Sequence, residues 1–419
     1  MTAGPDRAVA ERLDAEDPIG WLRDRFVLDD PGLLYLDGNS LGRLPAATVT
    51  AMAVAVQQTW GHQLVRIWQE WIDVGQRVGD RLGQALLGAA PGQVAIADST
   101  SVNLYKLAAA ALDARRDRRV VLTSADNFPT DRYVLEGLAA ARGLELRLLE
   151  PPGPDPIDAA TVAPHLGQDV ALVSLSHVSY LSGAIADAPA VTAAAHGAGA
   201  LVLWDLCHSV GAVPVELDAW EVDLAVGCTY KYLNAGPGAP SFLYVRRALQ
   251  ERLRQPIWGW WGQRDQFAMG QAYDPEPGIA RFLVGTPPVL AVVPVGVGVD
   301  VLAEAGLPRL RAKSVALTGL TVDLWESWLR PHGFALASPR EPSRRGGHVA
   351  LGHSRAYGVS RALLAAGVVP DFRPPDLVRL APAPAYTRFV DVWDAMDRLR
   401  RLLEGGRHLL FDEAPGRVT

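Results

Sequence analysis

Two segments of this chain end on residues that could share one piece of chemistry. The apolar run Ala200-Leu-Val-Leu-Trp204 ends on Asp205, with Cys207 and His208 close behind. The run Asp223-Leu-Ala-Val-Gly-Cys228 leads through Thr229 and Tyr230 to Lys231, 26 residues after the acid. Both runs read as buried strands. Right-handed crossovers put the ends of neighbouring parallel strands on one edge of a sheet, so the acid and the lysine would face a common cavity. Singly, a strand-end Asp held by backbone groups or a solvated Lys is ordinary. Together, beside an imidazole and a phenol, they suit pyridoxal 5'-phosphate: a carboxylate to keep the ring nitrogen protonated and a lysine to condense with the aldehyde. A phosphate cradle should accompany them. Ile96-Ala-Asp98-Ser99-Thr100-Ser101-Val102-Asn103 follows an apolar run and opens a helix, where free backbone N–H groups bind anions.

The elements that must position these residues can be read from the apolar pattern. Short apolar runs recur at Val94–Ala97, Arg119–Thr123, Leu144–Leu149, Val170–Leu175, Ala200–Trp204, Leu224–Gly227 and Ser241–Val245. Alanine-rich helical stretches such as Leu104–Ala114 and Ala188–Ala198 lie between several of them. Such alternation predicts an α/β fold with a mostly parallel seven-stranded sheet covered by helices on both faces, and in such sheets ligands bind beyond the carboxyl ends of the strands. Pro151–Ile157 reads as a surface loop. After residue 290 the pattern changes. A long helix over Leu290–Ala305 is followed by a smaller α+β region, with strands near Phe334–Ala337, His348–Leu351, Val368–Phe372 and Val378–Ala381 and a last helix over Phe389–Glu404. Three parts follow: an N-terminal segment (1–55) with a short helix, the loop Tyr35–Gly42 and a helix from Ala46; a large domain (56–295); and a small C-terminal domain (296–419).

The composition bounds the partners. With 419 residues, 49% hydrophobic and 21% charged, and a formal net charge of −6, the chain can bury a large core and has no basic footprint for nucleic acid. No polybasic segment faces a membrane. The apolar stretch Pro287–Val299 is too short and too broken by Pro and Gly to span one. The first residues, MTAGPDRAVAERLDAEDP, mix both charges and lack a secretory apolar run. Two cysteines, Cys207 and Cys228, imply no disulfide framework. The nine histidines form no HExxH pattern, so no metal is expected. A cytoplasmic protein is expected.

The chain resembles kynureninase, a fold-type-I pyridoxal-phosphate enzyme related to class V aminotransferases. The resemblance runs from YLDGNSLGRLP near residue 35 to DFRPPDLVRLAPAPAYTRFVDVW near 393, and is most specific in DSTSVNLYK, NFPTD, WDLCHSVGA, CTYKYLNAGPGAP, the Gly-Trp-Trp-Gly at 259–262 and VGTPP. It implies hydrolytic Cβ–Cγ cleavage of L-kynurenine or 3-hydroxy-L-kynurenine to an anthranilate and L-alanine, in tryptophan breakdown or NAD biosynthesis. It also implies a homodimer with the active site at the subunit interface. Thr100 and Ser101 would hold the phosphate, Phe128 would cover the ring, and Asp131 and Ser176 would flank it. Asp205 would meet the ring nitrogen, His208 would touch the cofactor or the substrate carboxylate region, and Lys231 would bond the aldehyde. Tyr230 matches a tyrosine that contacts phosphate and moves protons. Trp260 and Thr286 match positions that reach the phosphate from the neighbouring subunit. Ser40 and His62 match substrate-side positions, and Arg379 matches an arginine that grips the substrate carboxylate, a task that suits its planar fork.

The sequence departs from the family pattern at Gln263, at Thr229, and at Ser179, Leu181 and Ser182 within HVSYLSG. These bear on the form of the substrate rather than on the cofactor anchors. His62 resembles relatives that favour the hydroxylated substrate, and Gly285-Thr286 resembles those that favour plain kynurenine, towards which the reading leans. A class V aminotransferase would share the anchors, and a cysteine-desulfurase-like enzyme would need a mobile cysteine nucleophile. A pyridoxal-fold protein that only binds a ligand is the remaining alternative, against which the joint presence of acid, His, Tyr and Lys argues.

Overall fold

Consecutive residues of the central strands are apolar because they point into different cores. The computed structural model describes residues 6–411. Residues 1–5 and 412–419, the outer ends of the N-terminal segment and of the C-terminal part, lie outside the described residues. After β1 (Leu34–Tyr35) come β2 (Val94–Ile96), β3 (Val120–Ser124), β4 (Glu145–Leu149), β5 (Val170–Ser176), β6 (Leu201–Asp205), β7 (Leu224–Gly227) and β8 (Phe242–Val245). β2 to β8 form one seven-stranded sheet in the order β2-β8-β7-β6-β5-β3-β4, in which only β8 runs against the rest. Val202, Trp204, Phe242 and Tyr244 face one core, while Leu201, Leu203, Leu243 and Val245 face the other. This is the period-2 alternation of a strand buried on both faces. Full burial of each such side chain stabilises the fold by about 1.5–3 kcal/mol.

Helices Thr100–Asp113, Pro129–Arg142 and Ala188–Gly197 follow β2, β3 and β5. Their starts are written in the sequence. Ser99 accepts from Val102 N, Pro129 occupies the first helical position, and Asp187 accepts from Ala190 N, each answering the unpaired N–H groups of a first turn. Among the described residues, no single helix is long and apolar enough to cross a membrane. The segments Val289–Ala305 and Leu307–His332 meet such a test only as a pair bent by 81°.

The C-terminal part has its own core, made by residues between Leu317 and Leu403 and shared by Ala10, Leu34 and Leu36 from the N-terminal segment. β9 (Ala335–Leu336), β10 (Val349–Gly352), β11 (Val368–Val369), β12 (Asp371–Arg373) and β13 (Leu377–Leu380) complete the strand set. The order β12-β13-β10-β9 makes an antiparallel sheet. The single strand expected over Val368–Phe372 is in fact two. β11 pairs with β1 and β12 with β13, because Pro370 between them has no N–H to continue a ladder. Packing passes from one core to the other inside the helix Leu307–Leu324, whose Leu310 belongs to the large core and Leu317 to the small one.

The segment after β7 is held by two glycines. Gly42 N donates to the Tyr230 carbonyl at 2.8 Å, and a Cβ on Gly42 would collide with the Lys231 carbonyl and the Asn234 side chain. On the other side, Gly298 of the helix Val289–Ala305 lies so close to the Leu233 carbonyl that a Cβ there would overlap it. The contacted atom is backbone and cannot turn aside. Gly298→Ala is expected to lower the unfolding free energy by about 1–3 kcal/mol or more, read as a lower urea midpoint. An unchanged midpoint would mean that the helix can withdraw freely.

Candidate active site

All five loops that build the site leave the carboxyl ends of parallel strands. The chain runs from β3 out to β4 and then crosses back over β3 to β5, so the direction of winding reverses between β3 and β5. A crevice opens at such a reversal. The cavity there, of about 220 Å³, is lined by Ser99, Thr100 and Ser101 after β2, Phe128, Thr130 and Asp131 after β3, and Ser176 and Tyr180 at the end of β5 and beyond. Asp205, Cys207 and His208 at the end of β6, with Tyr230 and Lys231 after β7, close it.

Local hydrogen bonds fix the orientation of these groups. Asp205 Oδ1 accepts from Cys207 N at 2.7 Å. Asn127 Oδ1 accepts from Phe128 N at 2.8 Å and from Ser176 Oγ at 2.7 Å, while its amide donates to Thr123 Oγ1 at 3.1 Å. One asparagine thus sets both the Phe128 backbone and the Ser176 hydroxyl. The Phe128 ring packs edge-on against Tyr180, with centroids 5.2 Å apart, and its centroid lies 5.9 Å from Lys231 Nζ. Lys231 Nζ stands 3.5 Å from His208 Nε2 and 5.8 Å from the Tyr230 ring centroid.

The charges are arranged on two walls. Burial first, and the charge of the neighbouring Asp205 second, push the Asp131 carboxyl well above its ordinary range. Asp131 Oδ2 is buried with no hydrogen-bond partner. Two carboxyl groups side by side, one of them under-satisfied, suit a cationic N–H, and a protonated pyridine nitrogen provides one. Lys231, itself buried, lines the same cavity. At the third corner, Thr100 and Ser101 open the helix Thr100–Asp113, where first-turn N–H groups have no helical carbonyl to meet and attract an anion. Acid, lysine and anion cradle therefore fit pyridoxal phosphate. Burial, then the neighbouring thiols, raises the Tyr230 phenol, which keeps its proton. Burial and Lys231 pull His208 well down, so its imidazole is neutral.

Not every residue expected at the site lines this cavity. Arg379 is buried on β13. Its guanidinium donates to the Asp371 carboxylate and to the Tyr180 carbonyl, so it lies directly behind a lining residue. Ser40 sits on the loop that docks on Tyr230 through Gly42. His62, Trp260 and Thr286 are exposed on segments outside the cavity. Conversely, four residues to which the sequence assigns no task line the cavity: Ser99, Thr130, Tyr180 and Cys207. Three of them flank named residues by one or two positions, which is the signal that could have found them. Tyr180 lies in the HVSYLSG segment, which was noted only for its departures from the family pattern.

The buried imidazoles carry a pH dependence. Burial pulls His177 down to about 4, and burial with Arg379 pulls His348 down to about 3. In the unfolded chain these groups take up protons near pH 6.5, and in the fold they stay neutral until far lower. Their contribution is therefore intact above pH 6.5 and lost as pH falls towards 4 and 3, at up to about 1.4 kcal/mol per pH unit for each. His177 also shares a 3.0 Å hydrogen bond with Ser209 Oγ, which a glutamine could keep. Urea unfolding of His177→Gln across pH 6.5 to 4 is expected to show a shallower loss than the parent. An identical slope would contradict a neutral buried His177.

The comparisons with known proteins agree with this geometry. The family model for class-V aminotransferases matches residues 84–347, and that for the kynureninase C-terminal domain matches residues 310–399. The chain is 45% identical over 408 residues to the kynureninases of Burkholderia pseudomallei and Burkholderia mallei, covering 95% of both chains in each case. It is 43% identical over 402 residues to that of Pseudomonas fluorescens, covering 94% of each. Among solved structures, the apo cysteine desulfurase of Thermococcus onnurineus NA1 is similar with a TM-score of 0.79 at 18% identity, covering 97% of this chain and 99% of that one. The cysteine desulfurase CsdA of Escherichia coli gives 0.78 at 17%, covering 92% and 98%. These two likenesses speak for the fold alone. Near-full-length identity to curated relatives, on a fold and cavity of this kind, makes the chain a member of the kynureninase family.

Proposed function

We propose that this chain is a pyridoxal-phosphate-dependent kynureninase that splits the Cβ–Cγ bond of L-kynurenine with water, giving anthranilate and L-alanine. The observation that carries the reading is the buried pair of carboxyl groups, Asp131 and Asp205, sharing a cavity with Lys231 in a chain 45% identical to kynureninases over 95% of its length. When bound, pyridoxal phosphate supplies an electron sink for negative charge formed beside the substrate's amine. Asp205 holds the ring nitrogen, Asp131 and Ser176 flank the ring, Phe128 covers its face, and Thr100 and Ser101 hold the phosphate. Lys231 would hold the aldehyde end of the cofactor, and its Nζ would move protons. The neutral His208 beside it adds no competing charge. Tyr230 keeps its proton and gives it up at Oη, as a general acid–base must.

The remaining residues act at the edges of the site. Arg379 receives the substrate carboxylate, and Ser40 and His62 stand on the substrate side, His62 near its aryl ring. Trp260 and Thr286 reach the phosphate from the partner subunit of a homodimer. Support for that assembly comes from the apolar surface on the same segments: Val56, Trp60, Leu64 and Val65 near His62, and Trp258, Phe267 and Met269 near Trp260, are all exposed. Exposed apolar residues concentrated in this way mark a protein interface. The two cysteines are free and buried, in keeping with a reducing cytoplasm. They do not suit a desulfurase. Such a nucleophile needs an accessible thiolate, and both thiols are buried just beyond the ends of β6 and β7.

The test is turnover. The holoenzyme is expected to release anthranilate from L-kynurenine faster than 3-hydroxyanthranilate from the hydroxylated substrate, followed by product fluorescence. A cofactor-loaded enzyme that forms neither product would overturn the reading. Lys231→Ala is expected to abolish the visible absorbance of the lysine-bound cofactor. Tyr230→Phe is expected to keep that absorbance and slow cleavage about a hundredfold or more. Full activity in Tyr230→Phe would remove the phenol from the reaction.

A further inference from the structure

The turn that delivers the phosphate cradle is held in an unfavourable conformation from behind. Asp98, between β2 and the helix Thr100–Asp113, has φ +49°, in the left-handed region that few non-glycine residues adopt. Six residues after the start of that helix, Lys106 is completely buried. Its Nζ donates to Asp98 Oδ2 at 2.6 Å and to the Phe282 carbonyl at 2.8 Å. Asn103, on the same helix, donates to the Ala97 carbonyl at 2.7 Å and to Ser241 Oγ at 2.6 Å. Ser241 N in turn donates to the Asp98 carbonyl at 2.9 Å. The turn is thus tied on its backbone and on its side chain.

A buried ammonium on this alanine- and leucine-rich helix is a poor way to gain stability, because desolvation offsets the attraction of its partner and an apolar side chain would pack at lower cost. Burial indeed pulls the Lys106 pKa down, against the pull of Asp98. What the charge does supply is direction. It fixes the one residue whose backbone decides where the first-turn amides aim.

We propose that Lys106 is a positioning residue for the phosphate end of the site: by holding Asp98 in its left-handed conformation it aims the Thr100 and Ser101 amides at the phosphate. It does not itself line the cavity. The inference rests on the pyridoxal-phosphate reading above and adds a residue to it.

The experiment compares two ligands that differ only in the phosphate. Apoenzyme of the parent, of Lys106→Met and of Asp98→Ala is titrated with pyridoxal phosphate and with pyridoxal, following the visible absorbance. Alanine has no carboxylate to tether and disfavours the left-handed backbone, so Asp98→Ala carries the test alone should Lys106→Met fail to fold. In both variants the affinity for pyridoxal phosphate is expected to fall about tenfold or more, the effect of one misdirected hydrogen bond to a charged group, with pyridoxal binding unchanged. A parent-like ratio of the two affinities in the variants, or equal losses for both ligands, would overturn the positioning role. A parent protein that binds the two ligands equally well would instead overturn the cradle assignment on which it rests.

Discussion

The site depends on keeping ionisable groups out of water while leaving them incompletely paired. A carboxyl group, a lysine and a row of amides can be buried together only if the scaffold holds them against the cost of desolvation. The scaffold here is a sheet sealed on both faces by large apolar cores. Its parallel strands place Asp131, Asp205 and Lys231 on one edge. The unpartnered Asp131 oxygen is the residue of that arrangement: it is a defect for the bare fold and a binding feature for a cationic ring. Stability and function therefore draw on the same atoms in opposite directions.

Much of this was legible in the sequence because it is local. Strands buried on two faces appear as unbroken apolar runs, and all seven of the large sheet fall within a residue or so of where those runs lie. Strand ends announce themselves by a change to Asp205 or to Tyr230-Lys231, and helix starts by Ser99, Pro129 and Asp187. What failed to show is tertiary. Pro370 splits a run that reads as one strand, since β11 and β12 have different neighbours. Lys106 on an alanine-rich helix looks like a solvent-facing charge until Asp98 and the Phe282 carbonyl are seen beside it. Tyr180 enters the cavity only because the chain folds back through Ser179–Gly183.

His62, Trp260 and Thr286 mark a different kind of limit. All three are exposed in one chain, Trp260 packing edge-on against Trp261 and Phe267, and none of them reaches the cavity. The apolar side chains around His62 and Trp260 are the only local clue. Were the proposed homodimer to complete the site, its determinants would fall into two sets: those that the fold of one chain brings together, and those that acquire neighbours only on assembly.

Arg379 is already engaged, by Asp371 along one edge and by the Tyr180 carbonyl at the other. These bonds use three of the five N–H groups of the guanidinium, which sets its plane and leaves two donors to spare. An arriving anion would meet a fork that is already oriented, so little side-chain freedom would remain to be lost on gripping it. The bond to the Tyr180 carbonyl ties that fork to the cavity wall, so a shift of one would be felt by the other.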